Sequence, residues 1–119
     1  MHKIVFNNCY GGFSLSLEAV HWLADHATDS DLKNYIQLSY RDTHERYLGH
    51  VIGDWFDDRR HHRDLVAVVE ALGAKANGDC ANLAIACISG NQYRIEVYDG
   101  AEEVVTPTDS DWIFIKEGE

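Results

Sequence analysis

The sequence predicts a single α+β domain over residues 1–119, in the order β-α-irregular-α-β-β-β, with two main helices packed on a mostly antiparallel sheet. Three observations lead there. Two stretches repeat apolar residues at helical spacing, while the last third alternates polar and apolar residues between turn formers. A chain of 119 residues with 45% hydrophobic and 25% charged residues matches one globular domain with its own core. No repeat, low-complexity tract or shift in composition divides it.

The elements follow in order. Residues 3–8 read as a buried N-terminal strand, because Ile4, Val5 and Phe6 run into the turn formers Asn7 and Asn8. A helix starts after Phe13: Leu17, Val20, Leu23 and Ala24 share a face. Ser14 or Ser16 can cap it. Ser16 fits better, since Glu18 then lies in the first turn, at the positive end of the dipole. The signal fades over 26–28. Residues 29–62 conflict. Leu32, Tyr35 and Ile36 suit a short helix, yet residues 35–40 also alternate as a strand. Residues 47–56 are apolar but broken by Gly49 and Gly53, and are read as an irregular connection touching the core.

The second helix is clearer, with Leu65, Val66, Val69 and Leu72 as its stripe, His62 at the cap and Gly73 as the stop. Residues 74–77 add a turn. Strands are predicted at 83–88, 93–98 and 102–106, then at 112–115. Asp99-Gly100 is the hairpin signal, and Pro107 closes the return strand. The predicted core is Val5, Phe6, Leu17, Val20, Leu23, Leu65, Val69, Leu72, Leu83, Ile85, Ile95 and Val97.

Charge narrows the function. The net charge is −10, and residues 65–119 carry −7 of it. Phosphate binding needs a basic footprint, and here only Arg59, Arg60 and Arg63 cluster, so direct nucleic-acid binding is disfavoured. No apolar run approaches the ~18 residues of a membrane span. The start lacks an apolar export signal, and three cysteines fit a reducing compartment better than a disulfide scaffold, so the expected location is cytoplasmic. The acids Glu96, Asp99, Glu102, Glu103, Asp109 and Asp111 are expected on one wet side, where they form a candidate surface for a basic protein partner.

The segment from Lys3 to Ser16, with its box Asn7-Asn8-Cys9-Tyr10-Gly11-Gly12-Phe13-Ser14-Leu15-Ser16, resembles a largely uncharacterised small-protein family of bacteriophages and prophages. Further matches are residues 60–73, Lys75-Ala76-Asn77-Gly78, and Glu96-Val97-Tyr98-Asp99-Gly100. Two departures stand out. His62-Arg63 replaces the Asp-Pro that members often carry at the second helix, and Thr108-Asp109-Ser110-Asp111 stands where they often end in a basic His-Arg element. The resemblance implies phage or prophage origin and a bacterial host.

The chemistry-bearing residues divide as follows. Cys9 sits before a helix N-terminus, as a nucleophile would, but no histidine is tied to it by spacing, and buried cysteine is ordinarily packing. Gly11, Gly12 and Ser14, together with Arg59, Arg60 and Arg63, form a second candidate set, for an anionic ligand. His44, His50, His61 and His62 crowd the middle without a metal-ligand spacing. No catalytic residue, metal or cofactor is expected. The first reading is a non-enzymatic phage accessory protein that binds a host macromolecule, as an acidic inhibitor of antiviral defence; anti-CRISPR proteins share this size and charge. The partner would be a host protein with a basic surface that normally holds nucleic acid. The alternative is a small-ligand or cyclic-nucleotide sponge, and the third reading a small metal-dependent hydrolase.

Overall fold

A computed structural model describes residues 1–107. Strand β1 (His2–Asn7) is followed by helices α1 (Leu17–His26), α2 (Ser30–Asp42), α3 (Leu48–Trp55) and α4 (Arg63–Leu72). Strands β2 (Leu83–Ile88), β3 (Arg94–Tyr98) and β4 (Ala101–Val105) complete it, with 3-10 turns at Glu45–Tyr47 and Gly73–Ala76. The domain is α+β and opens with a strand, as the sequence predicts. The predicted strand at 112–115 and the acids Asp109 and Asp111 lie outside the described residues. No helix among the described residues is long and apolar enough to cross a membrane.

The caps are those read from local chemistry. Ser16 Oγ accepts from the Ala19 amide at 3.0 Å, and His62 Nδ1 accepts from the Asp64 amide at 3.0 Å. Gly73 ends α4 at φ 57°.

The stretch 29–62 is helical instead of irregular. Asp29 starts α2 by accepting from the Asp31 and Leu32 amides at 2.9 and 3.3 Å, and Leu32, Ile36 and Ser39 line its buried face. The alternation over 35–40 loses to this helical period. In α3 the glycines are contacts, not breaks: a Cβ on Gly49 would stand 1.9 Å from the Leu15 carbonyl oxygen, and one on Gly53 would be 3.6 Å from the Phe13 ring. The roughly 1 kcal/mol that Gly49 costs the helix is offset by that close approach, whereas a Cβ on Gly53 would make only ordinary contact.

β1 pairs antiparallel with β2 from His2↔Ile88 to Asn7↔Leu83, and β3 with β4 from Arg94↔Val105 to Tyr98↔Ala101. The predicted meander is therefore two separate antiparallel pairs, of which only β3–β4 is a hairpin, since β2 takes β1 as its neighbour, not β3. Between them Tyr93 reaches back to His61, its hydroxyl 2.7 Å from Nδ1. Val5, Val20, Leu23, Leu32, Ile36, Ile52, Phe56, Leu65 and Val68 form the centre of the core, each at most 1% exposed. Ile4 is equally buried on the opposite face of β1, while Phe6, Leu17, Leu72, Leu83, Ile85 and Ile95 are half-buried. Val97 contradicts the predicted core: it is 62% exposed, because the tip of the β3–β4 hairpin extends past anything that could cover it among the described residues.

Candidate functional site

The β3–β4 hairpin turns at Asp99 and Gly100, with φ of 51° and 87°, the paired positive angles of a two-residue type I′ turn. Its position is set by the loop before α1. Asn7 donates from Nδ2 to the carbonyls of Cys9 and Gly100, both at 2.8 Å, and its Oδ1 accepts from the Asn82 amide at 2.8 Å. A Cβ on Gly100 would stand 2.5 Å from the Tyr10 carbonyl oxygen, so the hairpin tip lies directly against the 10–12 loop.

Register then sorts the acids. Glu96 stands opposite Glu103, while Glu102 stands opposite Val97 on the other face. Glu103 and Asp99 are exposed and meet no cation among the described residues, whereas Arg94 bonds Glu96 at 2.8 Å. Around them, Tyr10 is 69%, Val97 62% and Tyr98 79% exposed. Tyr10, Val97 and Tyr98 share one open hollow of about 480 Å³ with Glu96 and Glu103. Exposed aromatic and aliphatic carbon beside exposed carboxylates is the composition of a protein-binding patch facing a cationic partner.

Glu102, beside Val97 at the edge of the same hollow, is buried, which corrects the sequence expectation of an exposed acid. Its side chain is 5% exposed, and both carboxylate oxygens bond the guanidinium of Arg60, itself 2% exposed. Glu102 Oε1 also accepts from the Asn7 amide at 2.8 Å. The Phe13 ring lies 3.7 Å from the Arg60 guanidinium carbon, in cation–π contact. Arg60 Nε is buried without a partner. The pair is separated by 42 residues, so nothing local distinguished Glu102 from its wet neighbours.

The second candidate set does not converge either. Arg60 is spent on Glu102, Arg59 lies over the Trp55 indole at 4.3 Å, and Arg63 donates to Thr28 Oγ1 at 2.6 Å. Gly11 is pressed against Cys80, where a Cβ would stand 2.0 Å from the carbonyl oxygen. Gly12 takes φ 94° in open space, and Ser14 is buried with its hydroxyl toward the Asp79 carbonyl. These residues close a turn over Gly78 and Cys80 and present no anion cradle.

The histidines cap and bridge. Because His62 Nδ1 accepts from the Asp64 amide, its proton is on Nε2 and goes to Asp29 Oδ2, 2.8 Å away. This bond, with the Leu32 and Asp31 amides, holds the Asp29 carboxyl below the usual aspartate range, although burial opposes it. Buried Asp64 accepts from the Thr28 and Asp29 amides and the Thr28 hydroxyl, joining the α1–α2 turn to α4. Cys9 is half-buried, and no hydrogen bond reaches its thiol among the described residues.

Sequence reasoning missed Tyr10, Val97 and Tyr98 as surface. Tyr98 beside the Asp99-Gly100 turn was the available signal, since a two-residue turn places its flanks at the far end of a hairpin. Compared with known proteins, the chain matches no family model, and no curated protein or solved structure is detectably similar to it.

Proposed function

We propose that this chain is a non-enzymatic binding protein whose β3–β4 hairpin face docks on a basic protein surface. The observation that carries this is the shared hollow of Tyr10, Val97 and Tyr98 with the cross-strand carboxylates Glu96 and Glu103. Apolar carbon supplies the desolvated centre, and the exposed acids, Glu96 held by Arg94 and Glu103 without a cation among the described residues, supply orientation and encounter rate. The net charge of −10 adds long-range attraction to a cationic partner. The resemblance of the Asn7–Ser16 box supports a phage or prophage setting. In that setting the partner is a cytoplasmic host protein of antiviral defence, whose basic surface otherwise holds nucleic acid.

The test is affinity capture from nuclease-treated bacterial lysate, comparing the parent with Glu96→Gln/Glu103→Gln and with Tyr98→Ala. One captured protein should be lost with both variants, and lost with the parent at about 1 M salt, where the Debye length is roughly 3 Å. Recovery of the same protein by parent and both variants at high salt would falsify the proposal.

A further inference from the structure

A second site lies away from the hairpin. Between the start of α1 and the segment entering α3 is a cleft of about 360 Å³, within the size range of small-molecule sites. Its floor is backbone. The Leu15 amide donates to the Gly49 carbonyl at 3.2 Å, the Gly78 amide to the Ser14 carbonyl at 3.1 Å, and Leu15 pairs with Asn77 as an antiparallel bridge. Half-buried Leu17 offers carbon, His44 and Arg46 come from the segment entering α3, and His50 from its first turn.

The state of these side chains points to an anion. In a chain with 20 acids and 10 bases, five of the bases pair with a carboxylate among the described residues. Lys3 pairs with Glu70, Arg41 with Asp42, Arg59 with Asp58, Arg60 with Glu102 and Arg94 with Glu96. Arg46 has no carboxylate within 4.0 Å among the described residues; its guanidinium carbon lies 5.6 Å from the centre of the Tyr47 ring. His50 is exposed and without a hydrogen-bond partner among the described residues. The Arg46 amide donates to His44 Nδ1 at 3.2 Å, so the His44 proton is on Nε2 and that edge is a donor. Glu45 and Asp79 also line the cleft and suit hydroxyl or amino groups elsewhere on the same molecule.

We propose that this cleft binds a small organic phosphate, with Arg46, His50 and His44 Nε2 holding the phosphate and Leu17 against its carbon part. Guanidinium and imidazole donors match phosphate oxygens, and a free phosphate ion would leave the apolar side chain of Leu17 unused. The proposal is independent of the hairpin face.

The experiment is an amide-resolved NMR titration of the full chain with inorganic phosphate and, separately, with phenyl phosphate. Phenyl phosphate should saturate at a Kd of about 1 mM or tighter, shifting amides of residues 15–17, 44–50 and 77–79 together. Inorganic phosphate should bind more weakly at the same amides. Arg46→Ala should weaken phenyl phosphate roughly tenfold, and Arg41→Ala, an exposed arginine outside the cleft, should leave it unchanged. Both variants alter exposed side chains, and unchanged signals elsewhere check the fold. No saturation, shifts scattered over the surface, or equal loss in both variants overturns the proposal. Equal affinity for the two probes overturns it as well, in favour of an adventitious ion only.

Discussion

The Arg60 and Glu102 side chains are almost withdrawn from bulk water, 2% and 5% exposed. Removing one partner strands the other in the interior, which costs more than the pair contributes. Glu102→Ala should therefore lower stability by about 3–5 kcal/mol in a urea titration, and Arg60→Met with Glu102→Leu should recover most of that loss. A single variant as stable as the parent would mean the guanidinium finds water. Gly49→Ala is the uncharged counterpart: its Cβ would stand 1.9 Å from the Leu15 oxygen, and the backbone must move. We expect a loss of at least about 2 kcal/mol in the same titration, against a gain if helix propensity alone decided the outcome. Neither feature was legible in the sequence. An acid 42 residues from its partner looks like every other surface acid, and a glycine inside an apolar run looks like a break.

At the scale of the element, what local chemistry determines was readable. Ser16, His62, Gly73 and Asp99-Gly100 each act within three or four residues of themselves, and each does what its side chain or missing side chain permits. What depends on distant chain was not readable. The sequence does not show that β2 seeks β1 across some eighty residues, or that the end of β3 is left exposed among the described residues. The α4 stripe gives a direct check. Val69 is 6% exposed in the core, and Val69→Asp should cost about 4 kcal/mol or more and abolish the cooperative melt. The joint between the α1–α2 turn and α4 gives another. Because Asp29 is held below its ordinary value in the folded chain, the unfolded chain binds its proton first as pH falls. Its contribution is therefore present above about pH 4 and lost as pH drops through the lowered folded value. Urea midpoints between about pH 5 and pH 2 should fall more steeply for the parent than for Asp29→Asn. Parallel curves would show that the His62 bond contributes nothing.

For the whole molecule, the overall acidity was legible, but which acids form a face was not. Strand alternation divides Glu102 from Glu103, and only the Arg60 guanidinium decides which of the two is buried. Once a partner is in hand, Glu96→Gln/Glu103→Gln should slow association several-fold and change dissociation little, as measured by surface plasmon resonance at low salt. A purely dissociative effect would assign those carboxylates to buried contacts instead of steering. The attachment of the hairpin has a further consequence. The Asn7 amide, at the edge of β1 away from β2, donates to a carboxylate where a neighbouring strand would offer a carbonyl. The β3–β4 pair is thus fastened by side chains, Asn7 and Glu102, and not by a continuous ladder of main-chain bonds. Such a piece opens as its own cooperative unit, below the free energy of global unfolding. Native-state hydrogen exchange should find the amides of residues 94–105 exchanging together and earlier than those of α1 and α4. The proposed binding face would then ride on a unit less stable than α1 and α4, able to adjust its angle while the helical core stays shut.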